Sequence, residues 1–222
     1  MKLTIVAATG GVGRQLLSQA LAAGHDVTSV VRNPGKLPPA QTGRVVTADL
    51  ADPDLTAIEG AFAGSGAILS CLGPHTNSDA GITAPGTRAI ITAMRATGVR
   101  RIVAISATPV STWPSPGRPA PPRHDPGDGF FMRYFGERIA KTLFGRVYDD
   151  LSRMEDELRE SGLDWTILRP PKLNDKPFTG RYRTAVGQNV RGFSVSRADV
   201  AHCMLAVLGQ PATIRETIGV AT

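Results

Sequence analysis

The chain has 222 residues, of which 41% are hydrophobic and 20% are charged, and its formal net charge at pH 7 is +6. This length suits one α/β domain rather than two, and the balance of residue types is that of an ordinary globular protein. No apolar run approaches the ~20 residues of a membrane span and the start shows no signal peptide, so we expect a soluble protein that does not enter a membrane.

The cysteines, the histidines and the net charge further limit the kinds of site and partner that we expect. Cys71 and Cys203 lie far apart and form no CxxC pair, and the histidines lack ligand spacing. We therefore expect neither a disulfide framework nor a metal site, which fits a reducing cytoplasm. The positive charge is either a plain solubilising surface or an attraction for an anionic cofactor and substrate. Nucleic acid is not an expected partner, and we expect a monomer or weak dimer.

Apolar runs alternate with helical patterns along the chain. Strands are predicted over 3–7, 26–31, 44–48, 67–71, 101–106 and 164–168, and helices over 11–23, 55–62, 82–97 and 130–161. Such alternation indicates βαβ units. It predicts a single-domain Rossmann fold, a doubly wound and mostly parallel sheet with helices on both faces. Its ligand would bind at the carboxyl ends of the strands.

Two segments interrupt the alternation. Residues 108–128, directly after the fifth strand, are rich in proline, so no regular element is expected. A long irregular insertion at this place is either a mobile lid over the acceptor site, which we favour, or a linker. The helix over 130–161 should break near Gly145. Its charges at Arg133, Arg138, Lys141 and Arg146 are more typical of a solvated face than of a binding patch.

A glycine loop joins the first strand to the first helix. The order Ala-Ala-Thr-Gly-Gly-Val-Gly over 7–13 follows a strand and opens a helix, as in dinucleotide-binding loops. Gly10 would let the backbone approach a pyrophosphate, and Gly13 would let the helix pack close to the sheet. The unpaired N–H groups at the helix start attract phosphates. Ala7 stands where a first glycine is common, which is acceptable if the turn needs no positive φ.

The second strand ends in Val-Val-Arg-Asn over 30–33. Proteins that prefer NAD usually have an acid here, which accepts hydrogen bonds from the ribose 2′-OH. Arg32 would instead suit a 2′-phosphate, and Lys36 could add charge. The alternative is an exposed arginine at a strand end. We favour NADP, with NADPH bound in preference to NADH.

Polar or flexible residues also follow the third and fourth strands. Asp49 and Leu50 are candidates for the adenine site, where the carboxylate would accept from the amino group and the leucine would pack on the ring. The alternative for Asp49 is a helix cap. Leu72 and Gly73 follow the fourth strand, where a glycine permits close approach of a cofactor.

Five short motifs together resemble a known family. They are Ala-Thr-Gly-Gly-Val-Gly (8–13), Val-Val-Arg-Asn (30–33), Ala-Asp-Leu (48–50), Cys-Leu-Gly (71–73) and Ala-Ile-Ser-Ala (104–107). This order resembles the atypical short-chain dehydrogenases with an NAD(P)H-binding, NmrA-like Rossmann domain. The later runs 157–171 and 172–182 resemble the flavin reductase/biliverdin-IXβ reductase subgroup. The resemblance covers nearly the whole chain except the proline-rich insertion, which is longer here.

The resemblance implies hydride transfer from NADPH to a flavin or a linear tetrapyrrole. The family's cofactor-binding positions fall on Thr9, Gly10, Gly11, Val12, Arg32, Asp49, Leu50, Leu72, Gly73, Pro171, Lys172 and Leu173. Its serine after the fifth strand matches Ser106. Two family histidines are replaced, by Lys172 and by Leu151. These departures weaken the case for tetrapyrrole reduction more than the case for flavin reduction.

The catalytic residues expected from the sequence are Ser106 and Lys172. Short-chain dehydrogenases usually use Tyr-x-x-x-Lys, and no tyrosine here has a lysine four residues later. That absence disfavours ketone–alcohol chemistry and sugar epimerisation, whereas hydride transfer to a flavin requires chiefly close stacking. Ser106 would donate a hydrogen bond to the acceptor or to the carboxamide, and Lys172 would bind an anionic acceptor. Tyr148 is a weaker candidate, since an aromatic on a helix face is more often core.

Two functions remain open at this point. One is an NADPH-dependent reductase with a small-molecule acceptor, namely a flavin, a quinone or a tetrapyrrole-like compound. The other is a non-catalytic NADP-binding regulator or redox sensor of the NmrA-like type.

Near the carboxyl end, 194–201 is predicted to start a helix capped by Ser196 or Ser194, with Asp199 in its first turn, and we expect its role to be structural.

Overall fold

The computed structural model describes residues 1–38, 43–74, 80–128 and 137–222, with 137–143 described as helical backbone. In these ranges eight strands form one sheet in the order β3-β2-β1-β4-β5-β6-β10-β8. Their bounds are β1 Lys2–Val6, β2 Asp26–Val31, β3 Arg44–Thr47, β4 Ala67–Ser70, β5 Arg101–Ile105, β6 Asp164–Arg169, β8 Arg183–Val186 and β10 Glu216–Ala221. All neighbours pair in parallel except β8, which runs antiparallel to β10.

Helices cover both faces of this sheet. They are α1 Gly11–Ala22, α2 Leu55–Phe62, α3 Thr83–Thr97, α4 Glu137–Glu160 and α5 Arg197–Ala206. One apolar core lies between the sheet and α2, α3 and α4, and the other lies beneath α1 and α5. Because both faces are covered, the central strands are buried throughout and read as continuous apolar runs. The predicted Rossmann fold is confirmed, and the six predicted strands match β1–β6 to within two residues.

Four carboxyl-terminal strands were not predicted. β8 and β10 extend the main sheet, and β7 (Lys172–Asn174) pairs in parallel with β9 (Ser194–Ser196) in a separate small sheet. The sheet order reverses between β1 and β4, since β2 and β3 lie on one side and β5 and β6 on the other. Ligands of open α/β sheets bind at such a reversal, outside the carboxyl ends of the strands.

The proline-rich segment 108–128 differs from the prediction in one respect. Its first residues, Thr108–Thr112, form a 3₁₀ helix that is mostly buried, so the expectation of no regular element was wrong there. Proline sets φ near the value that a first helical turn requires, which explains why Pro109 starts this turn. The residues that follow are hydrogen-bonded to α4. Trp113 Nε1 donates to Asp149 Oδ1 (2.7 Å), and Ser115 Oγ donates to Asp156 Oδ1 (3.0 Å).

Helix α4 breaks where the sequence predicted a break. Phe144, which precedes Gly145, has non-helical backbone angles (φ −131°, ψ 19°). Of the charges predicted on this helix, Arg133 lies outside the described residues, as do the side chains of Arg138 and Lys141, whereas Arg146 is exposed. Among the described helices, none is both long enough and apolar enough to cross a membrane.

Candidate functional site

The glycine loop connects β1 to α1 through a tight turn. The Ala7 N–H donates to Val30 O (2.9 Å), and the Gly10 N–H donates back to Ala7 O (3.0 Å). Ala7 has φ +59°, so the condition under which alanine would fit this turn without strain is not met. An L-residue in this left-handed region costs about 1–2 kcal/mol, because Cβ approaches the following carbonyl oxygen. The loop therefore holds its shape in spite of its first residue.

The two glycines singled out in this loop have different surroundings. A Cβ on Gly13 would collide with Ala7 O and come within 2.8 Å of Ala8 Cα, so only glycine lets α1 approach the strand end this closely. A Cβ on Gly10 would meet only Ala7 O, at 3.3 Å. Gly10 is the N-cap of α1 and has no side chain to cap it. The first N–H groups of the helix therefore face the cleft with no side-chain acceptor from the N-cap.

A cavity of about 420 Å³ lies beside the carboxyl ends of β1, β2 and β4, and we call it the adenosine end. It is lined by Ala7, Thr9, Val30, Arg32, Ala48, Asp49, Leu50, Ala51, Leu72, Gly73, Ala80, Gly81, Ile82 and Pro85. Arg32 is exposed at its rim, while Leu50 is buried in its wall. One carboxylate oxygen of Asp49 accepts from the Ala51 N–H (3.0 Å), so its other oxygen is available to a ligand.

A second cavity, also of about 420 Å³, lies beside the carboxyl ends of β4 and β5, and we call it the nicotinamide end. It is lined by Gly10, Gly11, Val12, Cys71, Leu72, Gly73, Pro74, Ile105, Ser106, Val147, Leu151, Leu173, Asp175 and Arg197. Leu72 and Gly73 line both cavities, so the two form one cleft along the strand ends. The glycine loop lies at the middle of that cleft, where a dinucleotide places its phosphates.

The structure brings most of the predicted site residues to this cleft. Those that line it are Thr9, Gly10, Gly11, Val12, Arg32, Asp49, Leu50, Leu72, Gly73, Ser106 and Leu173. Gly13 lies beneath the loop in its predicted packing role. Pro171 and Lys172 are not among the lining residues. Lys172 is exposed at the start of β7, and because alternate strand residues face opposite sides, it points away from the side on which Leu173 reaches the cavity.

The hydroxyl of Ser106 is held by a buried ionic cluster. Its Oγ donates to Glu155 Oε1 (2.7 Å), and the same carboxylate accepts two hydrogen bonds from Arg169. Burial alone would raise the pKa of Glu155, but Arg169, Arg159 and the Ser106 hydrogen bond outweigh it and hold that pKa below its usual range. Glu155 is therefore charged at neutral pH and accepts the hydrogen bond from the Ser106 hydroxyl, which keeps its proton. With its proton engaged, Ser106 presents lone pairs to the cleft and acts there as an acceptor.

Cys71 and Leu151 do not supply a proton at the nicotinamide end. Desolvation raises the pKa of the Cys71 thiol to about 12, and Leu151 adds an apolar wall where the resembling family has a histidine. Tyr148 makes a tilted ring contact with Trp113 (centroids 5.4 Å apart) and packs on the core instead of lining the cavity. In the described ranges no three histidine, cysteine or acidic side chains gather as a metal site would require.

The described residues give the lid prediction no support. None of the residues lining the nicotinamide end belongs to 108–128. That segment packs on α4 and on Asn189, whose backbone N–H donates to Asp125 Oδ1 (2.8 Å). Pro116 and Gly117 line a different cavity, between α3 and α4.

Two charged residues at the nicotinamide end were missed, Arg197 and Asp175. Their side chains form an ion pair across the rim of the cavity (Nη1–Oδ1 2.7 Å). A signal for Arg197 was available in the sequence, since it directly follows the predicted cap Ser196. The cap is confirmed, because Ser196 accepts from the Asp199 N–H. A cation in a first helical turn opposes the helix dipole, so the charge of Arg197 does not itself stabilise α5.

Comparison with known proteins agrees with this geometry. A protein-family model described as NAD(P)H-binding matches residues 7–211. An uncharacterised protein of Mycobacterium tuberculosis is 32% identical over 108 residues, which are 48% of this chain and 12% of that protein. A UPF0659 protein of Schizosaccharomyces pombe is 31% identical over 122 residues, 54% of this chain and 45% of that protein. The chain thus spans less than half the length of either relative.

Solved structures resemble the whole chain. A short-chain dehydrogenase/reductase of Veillonella parvula in complex with NADP has a TM-score of 0.78 and 19% identity, over 100% of this chain and 94% of that one. ChuY, an anaerobillin reductase of Escherichia coli O157:H7, has a TM-score of 0.76 and 26% identity, over 100% and 97% of the two chains. The chain belongs to the NAD(P)H-binding family, and its fold is that of an atypical short-chain dehydrogenase/reductase.

Proposed function

We propose that this protein is an NADPH-dependent reductase that passes hydride to a flat conjugated acceptor, such as a flavin, a quinone or a tetrapyrrole-like compound. The observation that carries the proposal is the continuous cleft along the strand ends, with an exposed guanidinium at one end and, at the other, a cavity that has the apolar side chains of Val12, Leu151 and Leu173 in its wall. The residues fit the cofactor: the uncapped start of α1 suits the phosphates, and Gly13 allows the close approach of helix and strand.

The adenosine end supports NADP over NAD. Arg32 lies at the cavity rim, and none of the described lining residues there is an acid apart from Asp49. Asp49 follows β3 rather than β2, which is the adenine position rather than the ribose 2′ position. A guanidinium that meets a 2′-phosphate forms a charge-assisted contact, which a 2′-hydroxyl does not offer. The structural neighbour from Veillonella parvula was solved with NADP, which agrees with this proposal.

The nicotinamide end supports an acceptor that needs no acid from the protein. When bound, NADPH supplies a hydride, and the reduced acceptor takes its proton from water. The chain's own part is to orient the two rings and to exclude bulk solvent, through the apolar side chains of Val12, Leu151 and Leu173. Ser106, whose proton is engaged by Glu155, would accept a hydrogen bond from the nicotinamide carboxamide and so fix the rotation of the ring.

The choice of acceptor is open within this class. ChuY is described as an anaerobillin reductase, which supports a tetrapyrrole-like acceptor. Leu151, where the resembling family has a histidine, supports an acceptor that depends on stacking alone, such as a flavin or quinone. Because a flavin needs only a flat apolar contact, we place it first among the candidates.

A regulator that binds NADP without turnover is the second candidate. The observation that favours it is the shortage of acids at the nicotinamide end, where the Ser106 proton is engaged and the Cys71 thiol stays neutral. Such a protein would bind the dinucleotide with the same adenosine-end contacts, and the bound form would be the signal.

The test is NADPH oxidation followed at 340 nm with FMN, a neutral quinone and biliverdin, together with calorimetric titration of NADPH. Sustained oxidation with at least one acceptor, abolished in Gly10→Val, is the expected result. Tight NADPH binding without turnover of any acceptor would favour the regulator. No NADPH binding by the folded wild-type protein would overturn the dinucleotide proposal altogether.

A further inference from the structure

Arg197 lies near the carboxyl end of the sequence, and its side chain lies against the glycine loop near the start of the sequence. It is the first residue of α5, and its Cδ and Nε atoms both lie 2.6 Å from the place that a Cβ on Gly11 would occupy. Its side chain lines the nicotinamide end together with Gly10, Gly11 and Val12. A positive charge is therefore held against the backbone that would carry the phosphates of a dinucleotide.

The ion pair that holds Arg197 is weak enough to exchange. Its partner, Asp175, is 87% exposed in its side chain, and the Arg197 side chain is 29% exposed. Ion pairs with an exposed partner stabilise proteins by at most about 1 kcal/mol. A doubly charged pyrophosphate on the same loop would offer the guanidinium a stronger partner in a less exposed place.

The position of Arg197 in its helix supports a ligand-binding role. A cation in the first turn of α5 is unfavourable for the helix dipole, and the favourable charge there is Asp199. Arg197 is placed by its backbone, because Ser196 caps α5 and Gln19 of α1 donates to Ala198 O (2.9 Å). The backbone at the start of α5 is therefore fixed relative to α1, and from there the Arg197 side chain reaches the loop at Gly11.

We propose that Arg197 is a binding residue for the cofactor pyrophosphate, and that Asp175 holds it in the free protein and gives it up when the dinucleotide binds. This inference rests on the proposed function. It assigns the phosphates to two elements that are distant in sequence, the start of α1 and the start of α5. It also makes Asp175 a competitor of the cofactor rather than a ligand.

The first experiment is calorimetric titration of NADPH into wild type, Arg197→Met, Arg197→Lys and Asp175→Asn. We expect Arg197→Met to weaken binding about 10-fold to 100-fold, which corresponds to the loss of one charge-assisted hydrogen bond. Arg197→Lys should recover part of that loss. Asp175→Asn should tighten binding by up to about fivefold, because it removes a weak competing ion pair. Arg181→Met is the matched control, since Arg181 is exposed and does not line this cavity.

The second experiment separates the pyrophosphate from other anions. Adenosine 2′-phosphate has no pyrophosphate, so its affinity should be the same within twofold in wild type and Arg197→Met. Gly11→Ala should weaken NADPH binding in wild type, because the added methyl displaces the Arg197 side chain, and should weaken it less in the Arg197→Met background.

Three outcomes would overturn the inference. In the first, NADPH affinity in Arg197→Met stays within twofold of wild type. In the second, only the KM for FMN rises, which would assign Arg197 to the acceptor. In the third, adenosine 2′-phosphate weakens as much as NADPH, which would assign it to the 2′-phosphate. Failure of the folded wild type to bind NADPH would overturn the proposed function as well. Thermal unfolding of each variant verifies that it is folded.

Discussion

The two ends of the cleft are built in different ways. The adenosine end comes from the first 85 residues, where β1, α1 and β2 follow one another and the ends of β3 and β4 complete the wall. The nicotinamide end gathers its far wall from β5, α4, β7 and α5, which span more than ninety residues. The first has Arg32 at its rim, and the second combines apolar side chains with the Arg197–Asp175 ion pair. Under the proposed function, cofactor choice would depend on residues close together in sequence, and acceptor choice would depend on the tertiary fold.

The largest expected effect concerns the cluster beneath the nicotinamide end. Glu155→Gln removes the buried negative charge that pairs with Arg169. Breaking a buried ion pair typically lowers the free energy of unfolding by about 3–5 kcal/mol. Glu157→Gln, two residues later on α4, is the matched control. Its partner Arg88 is 65% exposed, so the loss should be at most about 1 kcal/mol. Urea unfolding at pH 7 measures both, and equal losses would contradict the buried role of Glu155.

The same cluster makes stability depend on pH. The folded pKa of Glu155 is below its usual range, so its stabilising contribution is complete above the unfolded pKa. It is lost as the pH falls through the lower folded pKa. The free energy of unfolding of wild type should therefore fall more steeply on acidification than that of Glu155→Gln.

The next largest effect is expected from a substitution in the glycine loop, at the centre of the cleft. Gly10→Val should weaken NADPH binding more than about 100-fold, since its side chain would occupy the phosphate site, and 100-fold corresponds to about 2.7 kcal/mol. The fold should survive with a modest loss, because a Cβ at Gly10 meets only Ala7 O at 3.3 Å. Titration calorimetry with a thermal unfolding control is the measurement. Normal NADPH affinity in a folded Gly10→Val protein would mean that the dinucleotide lies elsewhere.

Gly13→Ala tests the packing of the same loop instead of its ligand contacts. Its Cβ would come within 2.8 Å of Ala8 Cα, and such overpacking costs about 1–3 kcal/mol. Gly60→Ala in α2 is the matched control, because a Cβ there meets no atom within 4 Å and alanine in a helix gains about 0.5–1 kcal/mol. Chemical unfolding should move the two variants in opposite directions. A stable Gly13→Ala would show that α1 does not need this close approach.

Ser106→Ala sharpens the assignment of the nicotinamide end. We expect kcat to fall about tenfold or less, since one neutral hydrogen bond contributes about 0.5–1.5 kcal/mol and stacking remains. Ser115→Ala is the control, because Ser115 also donates to a carboxylate of α4 but does not line the cleft. Steady-state kinetics with FMN compares the two. Equal effects from both serines would make Ser106 structural.

The smallest effect concerns strain in the loop. Ala7 has φ +59°, so Ala7→Gly should relieve part of the about 1–2 kcal/mol cost of that conformation. Glycine also increases the conformational entropy of the unfolded chain, which offsets part of that stabilisation. We therefore expect the free energy of unfolding to rise by about 1 kcal/mol or less. Ala8→Gly, at a fully buried core position with ordinary backbone angles, should instead destabilise the protein. Thermal unfolding compares the stability of the two variants. An Ala7→Gly protein less stable than wild type would contradict the claim that Ala7 is strained.

The same contrast explains what the sequence could reveal. β2 was predicted to the residue, and the residues picked from short motifs, Arg32, Asp49 and Leu50, line one cavity, because both predictions depend on neighbours in the chain. β8 was missed because its residues are mostly exposed and show no apolar alternation. Glu155 lies 49 residues from Ser106, and no local pattern predicts that contact. Arg197 and Asp175 were missed for the same reason, since the small β7–β9 sheet that brings them together was itself not predicted.

The most direct test of the account is one titration series: dissociation constants of NADPH and NADH for the wild-type protein and for Arg32→Asp. The account predicts that wild type binds NADPH at least about tenfold more tightly, because a charge-assisted contact is worth about 1.5–3 kcal/mol and tenfold needs about 1.4. Arg32→Asp should reduce or reverse the preference. Equal constants for the two cofactors in wild type would contradict it.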